Sequence, residues 1–181
     1  MCFDPRDEIW NGTFNTYYDS FYEEIMADKI ISRWQLLDEF SKVLVALTAS
    51  GSALSGWALW SDPNFKHIWL LLAGFGAIFA ILHSTLGVPG RLKDWGEVKR
   101  WFAMLRIELE TFRYQMKFDP EFSVDNFKTE FINFRKKYCE GIQRIKNDIF
   151  WTKGLENKSQ NELNDRINNN SSNPNGGENE H

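Results

Sequence analysis

Residues 42–62 read KVLVALTASGSALSGWALWSD, and residues 66–91 read KHIWLLLAGFGAIFAILHSTLGVPGR. Nineteen residues between Lys42 and Asp62, and twenty-four between Lys66 and Arg91, contain no Asp, Glu, Lys or Arg. Each run is long enough to cross the roughly 30 Å hydrocarbon core of a bilayer as a helix of about 20 residues. Asp62-Pro63-Asn64 is a turn signal, so the two runs are expected to form a hairpin. Transmembrane helices are expected over 42–60 and 68–88, joined by an external turn at 61–67. Gly87-Val88-Pro89-Gly90 is expected to stop the second helix.

The flanks support that reading. Trp57, Trp60, Phe65 and Trp69 bracket the turn as an interfacial aromatic belt would. Lys29, Arg33 and Lys42 precede the first run, and Arg91, Lys93, Lys99, Arg100 and Arg106 follow the second, whereas the turn holds only Lys66. The positive-inside rule then puts both termini in the cytoplasm. Within an N-terminal segment 1–16, residues Met1 to Trp10, with Asp4, Arg6, Asp7 and Glu8, lack the apolar core of a secretory leader, so the hairpin itself is expected to direct the chain to the membrane.

A chain of 181 residues has room for one domain-sized unit beside the hairpin. Its net charge of −4 lacks the basic excess of a nucleic-acid binder, so no direct nucleic-acid binding is expected. Cys2 and Cys139 are too few and too far apart for a disulfide framework or a metal site. Three histidines, at 67, 83 and 181, form no catalytic constellation with them. Gly74-Phe75-Gly76 begins like a nucleotide-binding glycine motif, but it lies inside an apolar run with no strand before it. No enzyme, cofactor or metal is expected.

Before the hairpin, Phe21, Ile25, Ile31 (with Met26 and Ile30 beside it), Trp34, Leu37 and Phe40 recur roughly every three to four residues among charged ones. This pattern predicts an amphipathic lead helix over 17–41. After the hairpin, Val98, Phe102, Leu105, Leu109, Phe112 and Met116 are spaced 4-3-4-3-4, as in a coiled-coil seam. Phe118-Asp119-Pro120-Glu121 breaks that helix. Val124, Phe127, Phe131, Phe134 and Tyr138 then resume the repeat, continued less cleanly by Ile142, Ile145 and Ile149. An antiparallel helical hairpin over 94–152 is expected, with the first seam available for oligomerisation. From Glu156 the chain turns to Asn, Ser, Gly and Glu, which predicts a disordered tail over 156–181. The fold class expected is an all-α membrane protein: a two-helix transmembrane hairpin with a cytoplasmic antiparallel, coiled-coil-like region.

Three groups of residues could carry function. Ser41, Thr48, Ser52 and Ser55 share one face of the first span and could line a pore. The same small, hydroxylated face could instead be a packing surface, with the stripe Ala73, Ala77, Ala80 and Ser84 of the second span as its complement. His83 is the one ionisable residue well inside either span: a proton or ion sensor, or a neutral histidine bonded across to the first span or reaching for the interface. Arg91, Lys93, Lys99 and Arg100 would lie against the inner leaflet, either fixing topology and holding anionic lipid or docking an acidic partner or nucleotide.

The order of these parts from Tyr17 to Trp151 resembles the SLATT proteins, bacterial two-transmembrane effectors associated with SMODS and SLOG domains. The post-span stretch Trp95-Gly96-Glu97-Val98-Lys99-Arg100-Trp101-Phe102, followed by Leu105-Arg106, looks like that family's helix after the second span. The resemblance implies an inner-membrane effector of anti-phage defence. Such an effector would be a homo-oligomer that forms pores or disrupts the membrane when a partner signals infection, so that the infected cell arrests or dies. The partner implied is a cytoplasmic activator or inhibitor from the same operon, a nucleotide second-messenger synthase or a retron reverse transcriptase complex. The residues themselves leave two other classes open, a membrane-anchored scaffold and a holin-like lysis protein.

Overall fold

The computed structural model describes residues 5–54, 63–118 and 123–172, and among them every regular element is a helix. These are α1 (Pro5–Leu54), α2 (Pro63–Leu86), α3 (Val88–Phe118), α4 (Val124–Arg144) and α5 (Lys153–Ser172). The chain divides into two compact units, one of Met1–Ile30 with Trp95–His181 and one of Ile31–Asp94.

The first unit packs the start of α1 with α3, α4 and α5. The 4-3-4-3 spacing on α3 turns one face inward: Val98, Phe102, Leu105, Leu109 and Phe112 are all buried, and Met116 half so. Across from them, α4 supplies Phe127 and Phe134. The ring of Phe112 meets those of Phe127 and Phe134 at 5.8 and 5.2 Å, and Phe102 meets Tyr138 at 5.9 Å. Burying side chains of this size contributes about 1.5–3 kcal/mol each. The seam residues expected for oligomerisation are therefore buried within the protomer's own fold, against α4.

Helix α1 begins at Pro5, so the expected N-terminal segment 1–16 and lead helix 17–41 are largely one helix. Its first turns hide small polar residues. Thr13, Thr16 and Ser20 are buried, and their hydroxyls donate to the carbonyls of Ile9, Gly12 and Thr16 at 2.7–2.8 Å. Gly12 allows the Phe131 ring of α4 so close that a Cβ there would lie 2.6 Å from Cζ. Because the hydroxyls are satisfied within the helix, this face can be both buried and thin.

Helix α4 starts at the N-cap Ser123, whose side chain accepts from Asn126 N–H at 3.2 Å, and ends at Arg144 with Ile145 extended. The expected continuation of the seam through Ile145 and Ile149 is corrected, since both follow the helix and Ile149 is exposed. The tail from Glu156 is corrected as well: α5 runs to Ser172, with Leu155, Ser159 and Leu163 buried. Leu163 packs with Phe21 and Ile25 beneath Tyr17, Tyr18, Tyr22 and Ile167. Thr152 caps the helix, its hydroxyl accepting from Leu155 N–H at 3.3 Å. An ion pair and a neutral hydrogen bond add to this packing, as Lys29 bonds Glu162 and Tyr18 donates to Asn164 at 2.7 Å. Three apolar residues, Leu155, Leu163 and Ile167, with the small Ser159 between them at helical spacing, thus order a chain segment whose composition is otherwise polar. Residues 173–181 of the expected tail lie outside the described residues.

In the second unit, α1 and α2 lie side by side, with Phe40 edge-on to Phe79 at 5.2 Å. Helix α2 ends at Gly87, whose φ of +60° only a residue without Cβ adopts readily. Gly87 N–H bonds Ser84 O at 3.2 Å, and its own carbonyl accepts from Arg91 N–H at 3.0 Å. The chain therefore re-enters helix at Val88 with Pro89 in the first turn, not at 94 as the sequence suggested. Among the described residues no single helix is long and apolar enough to cross a membrane; Gly74–Leu86 with Val88–Phe118 qualifies as a pair, bent by 43°. The expected turn at 61–67 falls partly outside the described residues.

Candidate functional site

The second unit brings together three charged or ionisable side chains that sequence spacing alone did not connect. Asp38 and Lys42 are one turn apart on α1, and Lys42 Nζ lies 2.6 Å from Asp38 Oδ2. Across the helix pair, His83 Nε2 lies 2.8 Å from Asp38 Oδ1. Both carboxylate oxygens thus have a partner. The Lys42 ammonium, then the His83 ring, hold the Asp38 carboxyl below the usual carboxylate range. His83 stands in the last turn of α2. This arrangement joins α1 and α2 at the end of the hairpin nearest Gly87. His83 thus bonds across to α1 at Asp38, a residue of the expected lead helix and not of the first span. Its partner, Asp38, lies 45 residues away and before the apolar run, where no spacing rule would point to it.

The other candidates part company. Ser41 is buried, and its hydroxyl donates back to Leu37 O at 2.7 Å, so it is engaged within its own helix. Thr48 and Ser52 belong to α1, but their side chains, like the whole of Ser55, lie outside the described residues. Of the stripe on α2 expected to pack against α1, Ala77, Ala80 and Ser84 are exposed and the side chain of Ala73 lies outside the described residues, while Gly76 is buried and Phe79 and His83 are half-buried. The basic cluster is likewise dispersed. Lys99 pairs with Asp28 at 2.6 Å, Arg91 is half-buried, and Lys93 and Arg100, seven residues apart on one face of α3, are exposed.

The first unit holds two features that the sequence did not reveal. Asp19 and Glu23, one turn apart on α1, are half-buried near Tyr138 of α4. Desolvation, then the neighbouring Asp19 charge, pushes the Glu23 carboxyl up to about 7. Desolvation and those two carboxylates push the Tyr138 phenol up to about 12. Second, α3 and α4 leave a groove of about 870 Å³ between them, lined by Ile107, Thr111, Phe112, Phe134, Lys137 and Glu140 among others. Among the described residues no group of three or more His, Cys, Asp or Glu is placed to hold a metal ion.

No family model, curated protein or solved structure matches this chain.

Proposed function

We propose that this chain is a membrane effector of a bacterial anti-phage defence system. On activation by a cytoplasmic partner it would open a pore or disrupt the inner membrane, arresting or killing the infected cell. The observation that carries the reading is the outward face of the second unit. Leu71, Phe75, Ile78, Ile81 and Leu82 are exposed along α2, opposite the face that carries Gly76, Phe79 and His83, and Leu71 and Ile81 are 61% and 65% exposed. Leu36, Phe40, Val43 and Leu47 form a similar exposed stripe on α1. In water this arrangement would leave an apolar patch uncovered at about 25 cal/mol per Å². Against lipid it is the stable one.

On this reading the hairpin spans the inner membrane with both termini in the cytoplasm. The four-helix first unit is a folded cytoplasmic body that receives the signal. The Asp38–His83 bond holds the cytoplasmic end of the resting hairpin together. The exposed Ala77, Ala80 and Ser84 would then be free to pack against another copy, and homo-oligomers would form through the spans, not through the α3 seam. A second reading, a membrane-anchored scaffold, draws on the groove between α3 and α4, which could hold a segment of a soluble partner.

Replacing both Ser52 and Ser55 with Leu separates the two. An effector that conducts through the hydroxylated face loses its toxicity while still accumulating in the membrane. A chain whose hairpin is only an anchor keeps full function with both substitutions, and that result would overturn the pore.

A further inference from the structure

Helix α3 carries three basic residues at heptad spacing, 99, 106 and 113, on the face it turns to α1. The first two have carboxylate partners there: Lys99 bonds Asp28 at 2.6 Å and Arg106 bonds Glu24 at 2.7 Å. Arg106 also stacks on Phe21, 4.8 Å from the ring centre. Seven residues on, the antiparallel register repeats with one change. Phe14 stands to Arg113 as Phe21 stands to Arg106, but the position equivalent to Glu24 is Tyr17. The third rung of this ladder lacks its acid.

In place of that acid, Arg113 has rings. Its guanidinium carbon lies 4.9 Å from the ring centres of Trp10 and Phe14 and 5.7 Å from that of Tyr17. Among the described residues no carboxylate pairs with it, and its Nε is buried without a hydrogen-bond partner. Rings stacked on a guanidinium cover its faces and leave the N–H groups in its plane available. Those groups form a fork that matches two oxygens of one anion. Beside Arg113 is a crevice of about 200 Å³ lined by Trp10, Glu110, Arg113, Tyr114 and Lys117. Lys117, one turn further along α3, brings a second cation to it, and among the described residues Glu110 is the only acid in the lining. A half-buried guanidinium whose Nε has no hydrogen-bond partner, a second cation and two flanking rings together describe a place for an oxyanion.

We propose that this crevice binds the phosphate group of a small soluble phosphomonoester, with Arg113 as the bidentate donor, Lys117 as the second charge and Trp10 and Tyr114 as walls. A phosphate completes the third rung in the way Asp28 and Glu24 complete the first two. The site lies wholly within the first unit and so stands or falls independently of the membrane reading.

Isothermal titration of the full chain in detergent tests it, with inorganic phosphate and adenosine monophosphate as probes and adenosine as control. Both phosphate-bearing probes should bind and adenosine should not, with affinity falling as salt rises. Arg113→Met should weaken binding about tenfold or more, the equivalent of one charge-assisted hydrogen bond. Arg113→Lys, which keeps the charge without the fork, should also weaken it. Lys117→Ala, at an exposed position that the fold does not need, should weaken binding several-fold, and Lys128→Ala should leave it unchanged. Absence of binding by either probe would overturn the proposal. So would equal affinities in the wild type and the Lys117→Ala chain, or binding of phosphatidic acid in bicelles without binding of either soluble probe.

Discussion

Gly141 offers a direct test of how α3 and α4 meet, because two opposing effects of known size act on one atom. A Cβ at this position would lie 2.7 Å from Trp101 Cδ1 and 2.8 Å from Phe102 Cζ. Neither ring can easily move. The Trp101 indole donates to Lys137 O at 3.1 Å and carries the Arg144 guanidinium 4.0 Å above its ring, while Phe102 is fully buried. Replacing a mid-helix Gly with Ala normally adds about 1 kcal/mol of stability. Forcing a methyl into a packed contact costs about 1–3 kcal/mol. For Gly141→Ala the second effect should win or at least cancel the first, leaving a loss of up to about 2 kcal/mol. Gly96→Ala on α3, where a Cβ would meet nothing within 4 Å, should instead gain about 1 kcal/mol. Urea denaturation of the full chain in detergent, followed by far-ultraviolet circular dichroism, measures both. If Gly141→Ala is stabilised as much as Gly96→Ala, the close approach of α4 to Trp101 and Phe102 is wrong.

Two further predictions concern the first unit. Glu23 titrates near 7 in the folded chain against an ordinary 4.5, so folding takes up a proton between those values. The stability this gives is fully present below about pH 4.5 and is lost as pH rises through about 7. Glu23→Gln should therefore be near neutral at pH 4 and stabilising by on the order of 2 kcal/mol at pH 8, read from melting curves at both values; an equal effect at each pH would refute the assignment. Leu163→Asp would put an unpaired charge into the Phe21–Ile25 cluster and should release α5, exposing the chain beyond residue 152 to limited proteolysis; an unchanged digestion pattern would mean that α5 does not pack there.

What the sequence made legible was the part governed by apolar periodicity. The seams at 98–116 and 127–138 were visible as heptads and do face each other, because large side chains at that spacing leave a helix no other way to bury them. Their destination was not visible: a seam reads the same whether a second copy or α1 and α4 of the same chain covers it. The start of α1 was hidden because its buried face is made of Gly12, Thr13, Thr16 and Ser20, whose hydroxyls are satisfied locally and carry no hydrophobic signal. Helix α5 was hidden by its Asn and Glu content, although Leu155, Leu163 and Ile167 at spacings of eight and four were a signal of an inward face. The Asp38–His83 and Arg106–Glu24 pairs join residues 45 and 82 positions apart, and only the packing of whole helices brings them together. The Arg113 cradle could have been sought in the aromatic run Trp10, Phe14 and Tyr17, whose i, i+4, i+7 spacing puts all three on one face.

The membrane potential of bacteria expressing this chain tests the central proposal most directly. Cells would carry a voltage-sensitive dye while expression is raised in steps, alone and together with the neighbouring genes under phage challenge. The account predicts depolarisation, either on expression alone or when phage arrives, with the chain recovered in the membrane fraction. A steady potential under both conditions, with the chain present in that fraction, would contradict it.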